Sequence, residues 1–292
     1  MLHSADMHKI SGDALILEGV TRSFGALKAI DDVTFSVPAG ERRAVLGANG
    51  AGKTTLFNAI TGDFPPTAGR VMFFGEDITR LPPYERIRRG MRRTYQSSLL
   101  FRELTVRDNL YLATQGISGG RFSVLRRRDD DALLAATQTL LDLVHLDHLS
   151  EMPVSLLSHG QQRQLEVGMA LAGAPRLILF DEPAAGLSPA ERRELVQILQ
   201  GLPRHIGFVL IEHDLDIALR VVDRVTIMHN GRLLKHGTPQ DRKRRRGAGD
   251  LYGERASWPL SSSAAAVAAA PFSRSRISTS ITAKPTPCKA SL

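Results

Sequence analysis

Residues 47–54 read "GANGAGKT" (Gly47–Thr54) and follow the short apolar run "RRAVL" at 42–46. A helical run, "GKTTLFNAIT" at 52–61, follows in turn. The pattern G-x-x-x-x-G-K-[ST] between a strand and a helix is a phosphate-binding loop. Its glycines let the backbone curl so that consecutive N–H groups point at phosphate oxygens. The helix N-terminus adds partial positive charge. Gly47, Asn49, Gly50, Ala51, Gly52, Lys53, Thr54 and Thr55 are therefore candidate nucleotide contacts, with Lys53 reaching the β- and γ-phosphates and the Thr54 hydroxyl a candidate Mg²⁺ ligand.

The rhythm around this loop is that of an α/β domain with a mostly parallel sheet. Short apolar runs at 14–20, 42–47, 70–74, 176–180, 207–212 and 224–229 read as strands. Runs at 160–172, 189–199 and 214–222 have helical spacing. "HNGR" at 229–232 reads as a hairpin turn. From about Tyr84 to Gly173 strands nearly stop, and "TVRDNLYLAT" and "DALLAATQTLLDLVHL" read as amphipathic helices of a helical subdomain. Between those helices "QGISGGRFSVLRRRDDD" reads as an exposed loop.

A second acidic site fits the loop. "RLILFDEP" places Asp181 and Glu182 at the end of an apolar strand, where a carboxylate lies beside the phosphate loop in such sheets. Asp181 is expected to hold Mg²⁺ and Glu182 to orient or deprotonate an attacking water.

Those two motifs suit many nucleotide hydrolases, and "LLSHGQQRQLE" at 156–166 narrows them. It resembles the signature motif of ATP-binding cassette (ABC) ATPases, usually Leu-Ser-Gly-Gly-Gln, with Ser158, Gly160 and Gln161 matching and His159 in place of one Gly. Ser158 followed by Gln161 is also a capping-box pattern, and a capped helix N-terminus is a good phosphate receptor. The resemblance implies further roles. Phe24 in "TRSFGAL" would stack on adenine, and Gln96 in "RRTYQSSLLF" would sense Mg²⁺ and water. His213 in "LIEHDLD" would meet the γ-phosphate. "AAGLSP" at 184–189 occupies the D-loop, with Ser188 where the common motif has Asp.

The resemblance covers about Ala14 to Pro239, and the wording of its motifs is most similar to the ATPases of branched-chain amino-acid (Liv-type) importers. It implies ATP and Mg²⁺ as cofactors and an antiparallel β part at the N-terminus. It also implies a second ABC ATPase subunit, identical or homologous, because Ser158 and Gly160 would contact ATP held by that partner. Two transmembrane permease subunits and an extracytoplasmic solute-binding protein complete the implied system. The same ATPase on an amide, urea or lipopolysaccharide transporter, or a non-transport ABC protein acting on ribosomes or DNA, are the other readings.

Composition bounds these readings. Residues 241–292 carry ten Lys/Arg against three Asp/Glu, leaving 28 against 27 in residues 1–240, so the main body is nearly neutral and gives no argument for nucleic acid. No apolar run approaches the roughly 20 residues of a membrane span, and the N-terminus lacks signal-peptide order. The chain is expected at the cytoplasmic face of the membrane, held there by its partners. The one cysteine, Cys288, leaves no disulfide frame.

The expected organisation is a leader at 1–11, an ABC ATPase domain at 12–240 and a disordered, low-complexity basic tail at 241–292. The tail departs from the family pattern. Codons can be chosen for 241–253 whose next frame encodes a family-like C-terminus, and for 272–291 whose shifted frame resembles the first strand of another ABC ATPase. A frameshift near Gln240 is the expectation, the alternative being a genuine basic tail that meets anionic lipid or nucleic acid.

Overall fold

The computed structural model describes residues 12–95, 100–117 and 130–239. The leader, Gln96, most of the loop at 115–131 and the tail at 241–292 lie outside them. Along the chain run β1 (Asp13–Phe24), β2 (Leu27–Pro38), β3 (Arg42–Leu46), α1 (Lys53–Thr61), β4 (Ala68–Phe73), β5 (Glu76–Asp77), α2 (Pro83–Arg88) and β6 (Met91–Arg93). There follow α3 (Val106–Ile117), α4 (Asp130–Leu143), α5 (His159–Leu171), β7 (Leu177–Asp181), α6 (Pro189–Gly201), β8 (Gly207–Ile211), α7 (Leu215–Val221), β9 (Arg224–His229) and β10 (Arg232–Gly237).

Two sheets form. β2-β1-β4-β5 is antiparallel, and β10-β9-β3-β8-β7-β6 is parallel except for the β9–β10 hairpin. The hairpin turn has Asn230 and Gly231 at φ 47° and 76°, the two left-handed positions that an Asn-Gly turn supplies.

Apart from Arg42 and Arg43 of β3 and the terminal Asp181 of β7, the strands β3, β7 and β8 are apolar because both their faces are covered. Side-chain alternation then sorts each strand between two cores. Ala44, Leu46, Ile178, Phe180, Phe208 and Leu210 join the core built with α3 to α7. Val45, Leu177, Leu179, Val209 and Ile211 join the core built with α1 and the antiparallel sheet. Both layers bring the C-terminal ends of β3, β7 and β8 to one edge, where the phosphate loop, Asp181 and His213 emerge.

Three elements were not legible as strands. β2 breaks its alternation at Asp31–Asp32, where Asp32 adopts φ 53°. β5 has only two residues, and β6 is "MRR", with Arg92 buried and Arg93 half-buried. Buried arginines recur as helix caps. Arg86 donates to Ala59 O, Ile60 O, Leu81 O and Thr79 O, covering the open end of α1, and burial pushes its pKa down to about 10. Arg42 does the same for α6 through Leu199 O, Gln200 O and Leu202 O.

Candidate functional site

The loop between β3 and α1 is shaped by its neighbours as much as by its own sequence. Gly50 and Gly52 take φ 79° and 96°, a region that favours glycine. A Cβ at Gly47 would meet Met228 O at 2.5 Å, and one at Gly52 would strike Ala29 O. Gly231 N–H donates to Ala51 O at 3.0 Å, and Asp31 N–H donates to Gly231 O at 2.9 Å. The Asn-Gly hairpin thus braces the loop from behind, a role its sequence did not announce. Gly47 and the buried Ala51 form the base of the loop rather than its lining.

A cavity of about 570 Å³ opens over the loop. Its lining includes Asn49, Gly50, Gly52, Lys53, Thr54 and Thr55, together with Glu182 and His213 from the neighbouring strands. Lys53 folds back so that Nζ donates to Gly47 O at 2.8 Å and Ala48 O at 3.0 Å. Burial pushes its pKa down, while Glu182 and Asp181 pull it back up. A buried ammonium held only by two carbonyls is a poised anion receptor.

Glu182 and His213 meet across the mouth, with Oε1 and Nε2 2.6 Å apart. Glu182 sits at φ 50°, unusual for a non-glycine residue, and its N–H is pinned to Ile211 O at 3.0 Å. Behind the pair lies Glu212, which the sequence reading passed over. Its carboxylate is buried and accepts the Ala184 N–H at 2.8 Å and the His213 N–H at 3.2 Å. Burial pushes its pKa up, and the hydrogen bonds oppose the rise. The Ile-Glu-His order is the signal that could have flagged it: an acid at the end of a continuously buried strand needs donors.

Asp181 is 1% exposed. Its Oδ2 accepts from Arg93 at 2.8 Å, whereas its Oδ1 is buried with no hydrogen-bond partner. Desolvation pushes its pKa up, and Arg93 opposes this. Arg93 also reaches Asn58 Oδ1 and Asp63 Oδ2, and its guanidinium lies beside the Phe57 and Tyr95 rings. The orphaned Oδ1, on a carboxylate within electrostatic reach of Lys53, fits a divalent cation. Among the described residues no group of three His, Cys, Asp or Glu side chains converges on one point. A cation here would therefore draw most of its ligands from phosphate oxygens and water.

The remaining candidates fall elsewhere. Phe24 is 46% exposed, packed edge-on against Phe64 and under the Arg22 guanidinium, and is not among the residues lining the cavity. Ser158 caps α5 in a complete capping box: its Oγ accepts the Gln161 N–H at 3.2 Å, and Gln161 Oε1 accepts the Ser158 N–H at 2.9 Å. Ser158, Gly160 and Gln161 do not line the cavity of their own chain. Gln96 lies outside the described residues.

Comparison with known proteins agrees with this geometry. A family model described as "ABC transporter" matches residues 30–185. The chain is 36% identical over 240 residues to the high-affinity branched-chain amino acid transport ATP-binding protein LivG of Escherichia coli strain K12, covering 79% of this chain and 94% of that one. It is 34% identical over 239 residues to the corresponding protein BraF of Pseudomonas aeruginosa, with coverage of 79% and 94%. Among solved structures it is similar to an ATP-binding cassette of an ABC transporter in its ADP conformation, at 32% identity and a TM-score of 0.70, covering 80% of this chain and 94% of that one.

Proposed function

The chain belongs to the ABC transporter family as an ATP-hydrolysing cassette, and from that premise we propose that it powers import of branched-chain or other hydrophobic amino acids through a membrane transporter. The observation that carries the solute class is the 36% identity over 94% of the length of LivG.

In this reading, ATP lies on residues 47–55 with Phe24 against the adenine and Lys53 turning from its two loop carbonyls to the phosphates. Glu182 orients the attacking water and accepts its proton. His213, held 2.6 Å from Glu182, keeps that carboxylate aligned and contacts the γ-phosphate. Asp181, Thr54 and Gln96 would hold Mg²⁺, which would supply charge neutralisation of the phosphates. Glu212 fixes the 182–184 turn to the 212–213 segment, so the water-orienting pair keeps one geometry.

Cassettes of this family dimerise and work with membrane permeases. Here ATP held on the phosphate loop of the second ATPase subunit would be covered by Ser158 and Gly160 of this chain, and the reverse. Closure on ATP and reopening after hydrolysis is a ligand-biased two-state device. Among the described residues no helix is long and apolar enough to cross a membrane. The proposed place is peripheral, on the cytoplasmic face, beside two permease subunits fed by an extracytoplasmic solute-binding protein. No nucleic acid takes part.

The test is to isolate the chain from its own cells in mild detergent and identify what accompanies it. Two polytopic membrane proteins, and loss of leucine, isoleucine or valine uptake in a Glu182→Gln strain, are the expected result. Copurification with ribosomes or DNA and no membrane protein would sink the transport reading. Normal branched-chain uptake with loss of another solute would reassign the cargo.

A further inference from the structure

Ser188, a departure from the common family pattern, is hydrogen-bonded to the carboxylate of Glu191. Glu191 closes a capping box at the start of α6, its Oε2 accepting the Ser188 N–H at 2.8 Å and its own N–H going to Ser188 Oγ at 3.4 Å. Its other oxygen leaves α6. Oε1 accepts the backbone N–H of Gly160 at 3.0 Å and the hydroxyl of Ser158 at 3.3 Å. One side chain therefore joins the N-termini of α5 and α6. His159, at the start of α5, packs against the turn before α6, its ring 3.2 Å from where a Cβ on Gly186 would lie. The fit is tight: a Cβ on Gly160 would lie 2.5 Å from Cγ and Cδ of Glu191.

The groups that Glu191 engages are the anion-receiving groups of α5. A helix N-terminus offers its first N–H groups and its dipole to one anion at a time. The Glu191 carboxyl is held below the ordinary glutamate range, first by the Ser188 N–H and then by the Ser188, Gly160 and Ser158 groups, so it is an anion at neutral pH. We propose that Glu191 is an internal charge plug: it holds the N-terminus of α5 in advance of a phosphate, and the ATP carried by a second ATPase subunit must displace it. This rests on the reading that Ser158 and Gly160 face the ATP of the partner.

The physical consequence has a definite sign. A plug lowers the fraction of subunits ready to receive phosphate, and the apparent affinity for closure falls by that fraction. Its charge also opposes the arriving phosphate. Removing the charge while keeping the shape makes closure easier. A merely structural brace predicts the reverse, since loosening Ser158 and Gly160 weakens closure.

The experiment uses the full chain in the Glu182→Gln background, so that bound ATP is retained, alone and with its copurified subunits. Association is followed by sedimentation against ATP concentration, with thermal melting alongside. Glu191→Gln is expected to lower the ATP concentration for half-maximal association about five- to tenfold, as expected where a charged acceptor becomes a neutral one. Ser188→Ala, which disturbs the cap and keeps the charge, is expected to leave it unchanged or raise it. If Glu191→Gln does not fold, Glu191→Asp, too short to span Ser188 and Gly160 together, serves in its place with the same expected direction. An unchanged or higher ATP requirement in a folded Glu191 variant overturns the plug. Absence of any ATP-driven association in the Glu182→Gln parent, with or without its subunits, overturns the dimer reading beneath it.

Discussion

Glu212→Gln is the perturbation that asks most of the site. The two carboxylate oxygens accept separate N–H groups, a buried one from Ala184 at 2.8 Å and a part-buried one from His213 at 3.2 Å. Glutamine supplies one acceptor, and its amide NH₂ turns toward the other donor. An unsatisfied buried donor costs about 1–3 kcal/mol, and relief from burying a charged group offsets part of it. The net loss is about 1–2 kcal/mol, or a fall of roughly 2–8 °C in melting temperature at 2–4 °C per kcal/mol for a domain of this size. Turnover should fall about tenfold, because Glu182 N–H bonds to Ile211 O beside Glu212 and loosens with it. KM for ATP should stay within about twofold, since the hydrogen bonds of Glu212 run to the Ala184 and His213 backbone rather than to the phosphate loop. The pH dependence has a worked sign. Burial raises the folded-state pKa of Glu212 above its unfolded value. Its contribution to stability is then complete below the ordinary glutamate range and lost as pH rises through the raised value. The gap in melting temperature between parent and variant should therefore narrow as pH climbs. Calorimetry across pH and a steady-state ATPase assay read both effects. A variant with unchanged melting and unchanged kcat would refute the view that Glu212 ties the two segments together.

Glu182→Gln should retain ATP binding by calorimetry and lose roughly 10²–10⁴-fold in kcat; near-normal turnover would remove it as the base. Lys53→Ala removes a charge-assisted contact to phosphate and should weaken ATP binding roughly 10–100-fold, read by equilibrium titration. Arg86→Leu strips the cover from four carbonyls around the end of α1 and should lower stability by about 3 kcal/mol in denaturant unfolding with little change in ATP KM. Sequencing the gene around codon 240 should reveal a shifted frame, and codons at 241–253 unable to encode the family-like peptide would dismiss that expectation.

Much of the site is written locally. The phosphate loop is a contiguous peptide, and its chemistry follows from glycine, lysine and threonine at fixed spacing. β7 and β8 were legible as apolar runs, and β3 by its "AVL" half, because a strand covered on both faces favours apolar residues at successive positions. The Asn-Gly hairpin was legible for the same local reason. β6 was not legible. "MRR" is a strand only because Arg92 and Arg93 find carbonyl and carboxylate partners on α1, α2 and β7. β2 was hidden by two aspartates, one of them in a left-handed bend.

The sequence by itself determined which groups can touch phosphate and which acids stand ready, since these depend on residue type and short spacing. Only the tertiary structure decided how those groups divide their bonds. Asp181 gives one oxygen to Arg93 and leaves the other unpaired. Glu212 joins Ala184 to His213, and Glu191 joins α5 to α6. Each of these contacts links residues at least 28 apart or closes the far side of such a link. Burial strengthens the Asp181 and Glu212 contacts, and a polar group takes whichever partner the folded chain brings within reach. Spacing along the chain carries no record of that choice.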